Sequence, residues 1–226
     1  SLVDLAQVPG APSSPDLFIN LLLALVGGMM ASGIAVFGLE QFDEGLKSPN
    51  DIKNVTGLPL LGAIPAMDED EDPVELVGDP KTEISEAYLT VRSNLAFSTP
   101  EGVPKTLMVT STRPAEGKST TSFAIASVLA RTGKRVVIVD ADMRSPSVHG
   151  FFDMENEAGF SDYLTSQGDI GSLVRETGIA NLWLLSAGRT PPSAAELLSS
   201  DKPREFIEAL AEKFDHVVVD APPLLG

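Results

Sequence analysis

The chain contains no cysteine, which excludes disulfides, thiolate catalysis and cysteine-ligated metal centres. Basic residues are scarce: 16 Lys and Arg stand against 32 Asp and Glu, a formal charge of −16 over 226 residues. Nucleic acid is therefore not an expected partner, because binding it takes a cationic face that displaces counterions from phosphates. Tyrosine occurs only at positions 88 and 163. Charge itself is missing from residues 17–39, LFINLLLALVGGMMASGIAVFGL. As a helix that run would extend about 35 Å, enough to cross the hydrocarbon core of a bilayer.

What is present is concentrated in residues 106–131, TLMVTSTRPAEGKSTTSFAIASVLAR. An apolar run passes through a turn-rich stretch into an Ala-rich amphipathic pattern, which predicts strand, loop and helix. Such a loop captures anions, because successive backbone N–H groups and the open N-terminus of the following helix curve around a phosphate. The pattern G-x-x-x-x-G-K-[ST] is met except at its first position, which is Thr112. Candidate phosphate contacts are Thr112, Arg113, Ala115, Glu116, Gly117, Lys118, Ser119 and Thr120. Lys118 is the candidate for the β- and γ-phosphates of ATP, and the Ser119 hydroxyl for Mg²⁺.

Two further apolar runs end in acid: RVVIVDADMR at 135–144, with Asp140 and Asp142, and HVVVDAPP at 216–223, with Asp220. Ligands of open parallel sheets bind at the carboxyl ends of the strands. The expected fold is therefore α/β, a doubly wound, mostly parallel sheet behind one membrane helix. Asp140, Asp142 and Asp220 are expected beside the phosphates as catalytic and metal-binding groups.

These three stretches resemble the bacterial tyrosine kinases of polysaccharide export, P-loop proteins with a Walker A loop (AEGKS, 115–119), a D-x-D-x-R motif (VIVDADMR, 137–144) and a D-x-P-P Walker B (VVVDAPP, 217–223). The resemblance covers nearly the whole chain. It implies transfer of the γ-phosphate of MgATP to protein tyrosine. By the same resemblance Asp220 holds a water or the ion, Asp140 and Asp142 complete the metal shell, one of these two, Asp142 before Asp140, takes the proton of the incoming phenol, and Arg144 orients these carboxylates. Implied partners are other copies of the chain in a ring that phosphorylates in trans, the polysaccharide polymerisation and export machinery, a cognate tyrosine phosphatase and the bacterial inner membrane.

Against this pattern the remaining chain divides into a Pro-rich extracytoplasmic lead-in (1–16), the membrane helix (17–39), a juxtamembrane linker (40–80) and a cytoplasmic kinase domain (81–226). The linker is expected to hold a small helix capped by Ser48 and a solvated acidic loop starting at 68–72, DEDED. Residues 82–98 predict a helix capped by Thr82, with Tyr88 on its surface. Its Glu86, Arg92, Ser93 and Asn94 match the family's subunit-packing helix, whereas Leu89 stands where that helix carries Arg. The family's tyrosine cluster and the last helix and strand of such a domain are not found within these 226 residues, so a piece of a longer protein is expected. Two other functions fit some residues: a partitioning-type ATPase, against which Arg113 stands in place of lysine, and a chain-length regulator whose ATP domain is a conformational switch.

Overall fold

The computed structural model describes residues 16–41, 56–68, 70–166 and 168–225, and the chain forms two compact units, Ser1–Leu58 and Pro59–Gly226. In the first unit, α1 (Leu17–Gln41) runs for 25 residues. The Asp16 carboxylate accepts the N–H of Phe18 at 3.1 Å and so caps its start. Side chains from Leu17 to Phe37 are exposed. The stretch Leu17–Gly38 has a mean hydropathy of 2.1, long and apolar enough to cross a membrane. A helix apolar on all sides needs an apolar surrounding on all sides. The small helix expected at Ser48 lies outside the described residues.

The second unit is built on a five-stranded sheet in the order β1-β5-β2-β4-β3. The strands are β1 (Thr106–Val109), β2 (Val136–Asp140), β3 (Arg175–Glu176), β4 (Leu182–Leu185) and β5 (His216–Asp220). All neighbours pair in parallel except β3 with β4, which are antiparallel. The expected doubly wound sheet follows from the two-residue period of a strand. Val136, Ile138 and Val218 enter one core, whereas Val137, Val139, Val217 and Val219 enter the other.

The first core is covered by α2 (Pro73–Gly78), α3 (Glu83–Ala96) and α4 (Lys118–Ala130). The second holds Phe160 and Leu164 from α5 (Phe160–Leu164) and Phe206 and Leu210 from α8 (Lys202–Lys213). Two short helices, α6 (Ile170–Leu173) and α7 (Ala194–Leu198), lie between these. Trp183 is half-buried, packs against the second core and tilts against Phe214 at 5.4 Å. His216 opens β5, its Nδ1 3.1 Å from the Pro104 carbonyl.

Two expectations need correction. The described acids of 68–72 are exposed, as a solvated loop requires, but the chain around them is more than a linker, because Pro59 onward belongs to the second compact unit. Asp72 accepts the N–H of Val74 at 2.8 Å, Pro73 occupies the first turn, and α2 forms. Val77 is then fully buried, and Leu61, Ile64, Met67, Val74 and Leu76 pack on the same core. Arg131, at the end of α4, donates to the carbonyls of Val77 and Gly78 and to the Ser85 hydroxyl, joining α2 and α3 to α4. Acid is thus confined to one side of a segment whose apolar residues point inward.

Tyr88 is likewise not a surface aromatic. It is 2% exposed, and its hydroxyl lies 3.1 Å from Thr121 Oγ1 on α4. Burial pushes its phenol pKa up, against the opposing effect of that hydrogen bond. Thr82 does cap α3, accepting the N–H of Ser85. Leu89 packs against the same core, and Arg92 donates to the Val128 carbonyl of α4 at 3.4 Å.

Val77→Ala tests the corrected boundary. Urea unfolding of the full chain should show a loss of about 2 kcal/mol, as for other deletions of buried methyl groups. A change within about 0.5 kcal/mol is what a solvated linker would give.

Candidate active site

Sheet register places the site. Val109, Asp140 and Asp220 are the last residues of β1, β2 and β5, and Asp220 is in register with both others. The three strand ends therefore open on one place, the carboxyl edge of the sheet, where α4 begins. Gly117 precedes α4 at φ +77° and has no side chain to cap it, so the first N–H groups of the helix stay available to an anion. Ala115 is also left-handed, at φ +62°. Alternation of conformation through 115–117 curls the loop toward the helix start.

At this edge one ammonium serves two carboxylates. Lys118 Nζ lies 2.9 Å from Asp142 Oδ2, 3.2 Å from Asp220 Oδ2 and 3.1 Å from Ser119 Oγ. The side chains of Lys118, Asp142 and Asp220 are 11%, 3% and 0% exposed, so these charges are largely removed from water. Burial alone would lower the lysine pKa, but the pull of Asp142 and Asp220 carries it upward on balance. Ser119 donates its hydroxyl hydrogen to Asp220 Oδ2 at 2.7 Å, which leaves its oxygen to accept, here from Lys118 Nζ. The other oxygen of Asp220 lies 2.9 Å from the hydroxyl of Ser122, itself fully buried.

Asp140 and Asp142 have separate tasks. The fully buried Asp140 carboxylate accepts the N–H groups of Asp142, Ser147 and Val148 at 3.0–3.1 Å and so shapes the loop behind β2. Asp142 accepts the N–H groups of Arg144 and Ser145 through Oδ1 and offers Oδ2 to Lys118. Burial raises the Asp140 pKa to about 7, with the N–H of Val148 opposing and the nearby Asp220 charge adding to it.

A cavity of about 540 Å³ opens over this cluster. Gly117, Lys118, Ser119 and Thr120 form one wall, with Ala115 beside them, and Asp142, Arg144, Phe151 and Pro222 face them. The structure thus brings together Lys118, Ser119, Asp142 and Asp220 with the loop residues Ala115, Gly117 and Thr120. It does not bring Thr112, Arg113, Glu116 or Asp140 to the cavity lining. Arg144, expected to orient the carboxylates, is exposed and makes no ion pair with them among the described residues. Ser122 is the residue the motifs did not mark. Its signal is position: three residues beyond Ser119 lies on the same helix face, toward Asp220.

The donor set suits a small hard cation. Among the described residues no three His, Asp or Glu converge on a metal position, but Mg²⁺ is usually held by one or two carboxylates together with substrate phosphates. Ser119 Oγ, Asp142 Oδ2 and Asp220 Oδ2 already surround one positive centre, the Lys118 ammonium. Asp140, expected as a ligand, is not in that set; its oxygens are taken by backbone N–H groups.

The raised Asp140 pKa makes a signed prediction. The folded state holds this proton more tightly than the unfolded chain, so the group's contribution is complete below about pH 4 and is lost as pH rises through about 7. The unfolding free energy of the wild type minus that of Asp140→Asn should fall by up to about 4 kcal/mol between about pH 4 and about pH 8. A difference that stays flat across this range contradicts the assignment.

Comparison with known proteins agrees with the geometry. The family model described as an AAA domain matches residues 105–226. The putative tyrosine-protein kinase CapB of Staphylococcus aureus is 38% identical over 152 residues, 67% of each chain. The tyrosine-protein kinase wzc of Salmonella typhimurium is 30% identical over 241 residues, covering all of this chain and 33% of its own length. The present chain therefore spans about a third of that relative. Among solved structures, the kinase domain of the Escherichia coli tyrosine kinase ETK superposes with a TM-score of 0.73 at 28% identity, covering 80% of this chain and 76% of that one. The chain belongs to the AAA-domain family of P-loop proteins and, within it, to the bacterial tyrosine kinases.

Proposed function

We propose that the chain is the catalytic portion of a membrane-anchored protein tyrosine kinase that transfers the γ-phosphate of MgATP to tyrosine hydroxyls and so controls polymerisation and export of a polysaccharide. The observation that carries this reading is the buried cluster of Lys118, Ser119, Asp142 and Asp220 under an open cavity at a helix N-terminus. Phosphoryl transfer needs little covalent chemistry and much placed charge. N–H groups of 117–120 would cradle phosphates, and Lys118 would turn from the carboxylates to the β- and γ-oxygens. Mg²⁺, held by Ser119 and Asp220, would neutralise charge on the transferring group. Asp142 lines the cavity and Asp140 does not, which favours Asp142 as acceptor of the phenolic proton.

The acceptor is a tyrosine other than the two seen here. Tyr88 is buried, and Tyr163 is half-buried at 4.5 Å from the Phe206 ring. Transfer in trans, as the family resemblance implies, would then go to a tyrosine outside this pair, since another copy of these residues carries only the same two. Helix α1 would anchor the protein in the inner membrane, with the nucleotide site on the cytoplasmic side, where ATP is found. The second reading, an assembly regulator switched by ATP, draws on Leu89, which is spent on the chain's own core instead of a charged contact to a neighbour.

Lys118→Met and Asp142→Asn in the complete natural chain separate these readings. Incubated with MgATP, each should lose at least about a hundredfold of its phosphotyrosine, measured by mass spectrometry. ATP turnover that continues in the wild type without any phosphotyrosine would remove the kinase reading and leave the switch.

A further inference from the structure

Glu116 is the loop residue whose chemistry is least expected: a carboxylate inside a cradle for phosphate. Its side chain is not in the cavity lining. It is turned back along the chain, where Oε2 accepts the N–H of Thr112 at 2.9 Å and that of Arg113 at 3.2 Å, and the Thr112 hydroxyl donates to the same carboxylate at 2.9 Å. The other side of this arm is tied too, since the carbonyls of Ser111 and Thr112 accept the N–H groups of Leu224 and Leu225 at 2.9 and 3.0 Å. Thr112 stands where the usual pattern has glycine, and its hydroxyl is used in the arrangement.

Between arm and helix the chain turns through Ala115, left-handed at φ +62° although it is not glycine. Nothing in an alanine side chain favours that conformation, so something else must hold it. Glu116 is the adjacent residue, and its contacts to 112 and 113 close the turn that contains Ala115. These contacts also hold its carboxyl below the usual range, the N–H of Arg113 first among the causes.

We propose that Glu116 is a positioning residue: its carboxylate staples the 112–113 arm and so holds the left-handed Ala115 turn that aims the N–H groups of 117–120 at phosphate. The loop then divides its donors. Those of the arm are satisfied by the chain's own anion, and those at the helix start are left for the ligand. This rests on the nucleotide-binding reading of the site.

The test uses the full chain and a fluorescent ADP analogue with Mg²⁺, in wild type, Glu116→Ala, Glu116→Gln and the double variant Glu116→Ala with Ala115→Gly. Glu116→Ala should weaken binding about tenfold and the Gln variant about threefold. Amide exchange at 112 and 113 should accelerate about tenfold without nucleotide. Glycine at 115 adopts the turn unaided, so the double variant should recover about threefold of the lost affinity. Equal affinity in Glu116→Ala or no recovery in the double variant overturns the proposal. A wild type that does not bind the analogue overturns the nucleotide reading as well, whereas a binding wild type beside an equally binding Glu116→Ala overturns this inference alone.

Discussion

One ammonium shared between two carboxylates sets the terms for everything at the carboxyl edge of the sheet. Asp142 and Asp220 are nearly or fully buried, and two bare carboxylates there would repel each other and carry a large desolvation cost. Lys118 makes the arrangement tolerable by standing within 3.2 Å of both. Removing one member of such a cluster leaves an uncompensated buried charge, so its residues are bound to each other for stability as well as for chemistry. The same geometry prepares an exchange. On the proposed reading, phosphates at the N-terminus of α4 would offer Lys118 a new anion, and the oxygens it left would be free to hold a divalent cation.

The fold supplies the positions and little else. Parallel pairing of β1, β5 and β2 puts Val109, Asp220 and Asp140 on one level. Helix α4, buried along Ser122–Ala130, fixes the direction of Lys118 and Ser119. Arg131 and the Tyr88–Thr121 contact then brace α4 against α2 and α3. These helices do not touch the cavity, yet they hold the element from which the lysine projects.

Much of this was legible in the chain's periodicities. Alternating apolar residues ending in Asp marked β2 and β5, and GKST before an Ala-rich run marked loop and helix, because strand period, helix period and glycine punctuation are local properties. What was not legible depends on contacts between distant residues. Asp140 and Asp142 are two apart in sequence, and nothing local says that one turns to backbone N–H groups of 142–148 while the other turns to Lys118. Tyr88 read as a surface residue because its partner, Thr121, lies 33 positions away. The segment 72–78 read as solvated because it follows directly on the acidic run 68–72, although Val77 is buried in the core and Val74 and Leu76 pack against it. Ser122 escaped because it lies outside the motifs, and Glu116, marked as a phosphate contact, turns back to the N–H groups of Thr112 and Arg113 instead.

The most direct measurement is a crystal structure of the full chain with Mg²⁺ and a non-hydrolysable ATP analogue. The account requires phosphates against the N–H groups of 117–120, the metal on Ser119 and Asp220, and Lys118 Nζ drawn away from Asp142 onto the phosphates. A nucleotide seated elsewhere, or a bound nucleotide with Lys118 still clamped between Asp142 and Asp220, would contradict it.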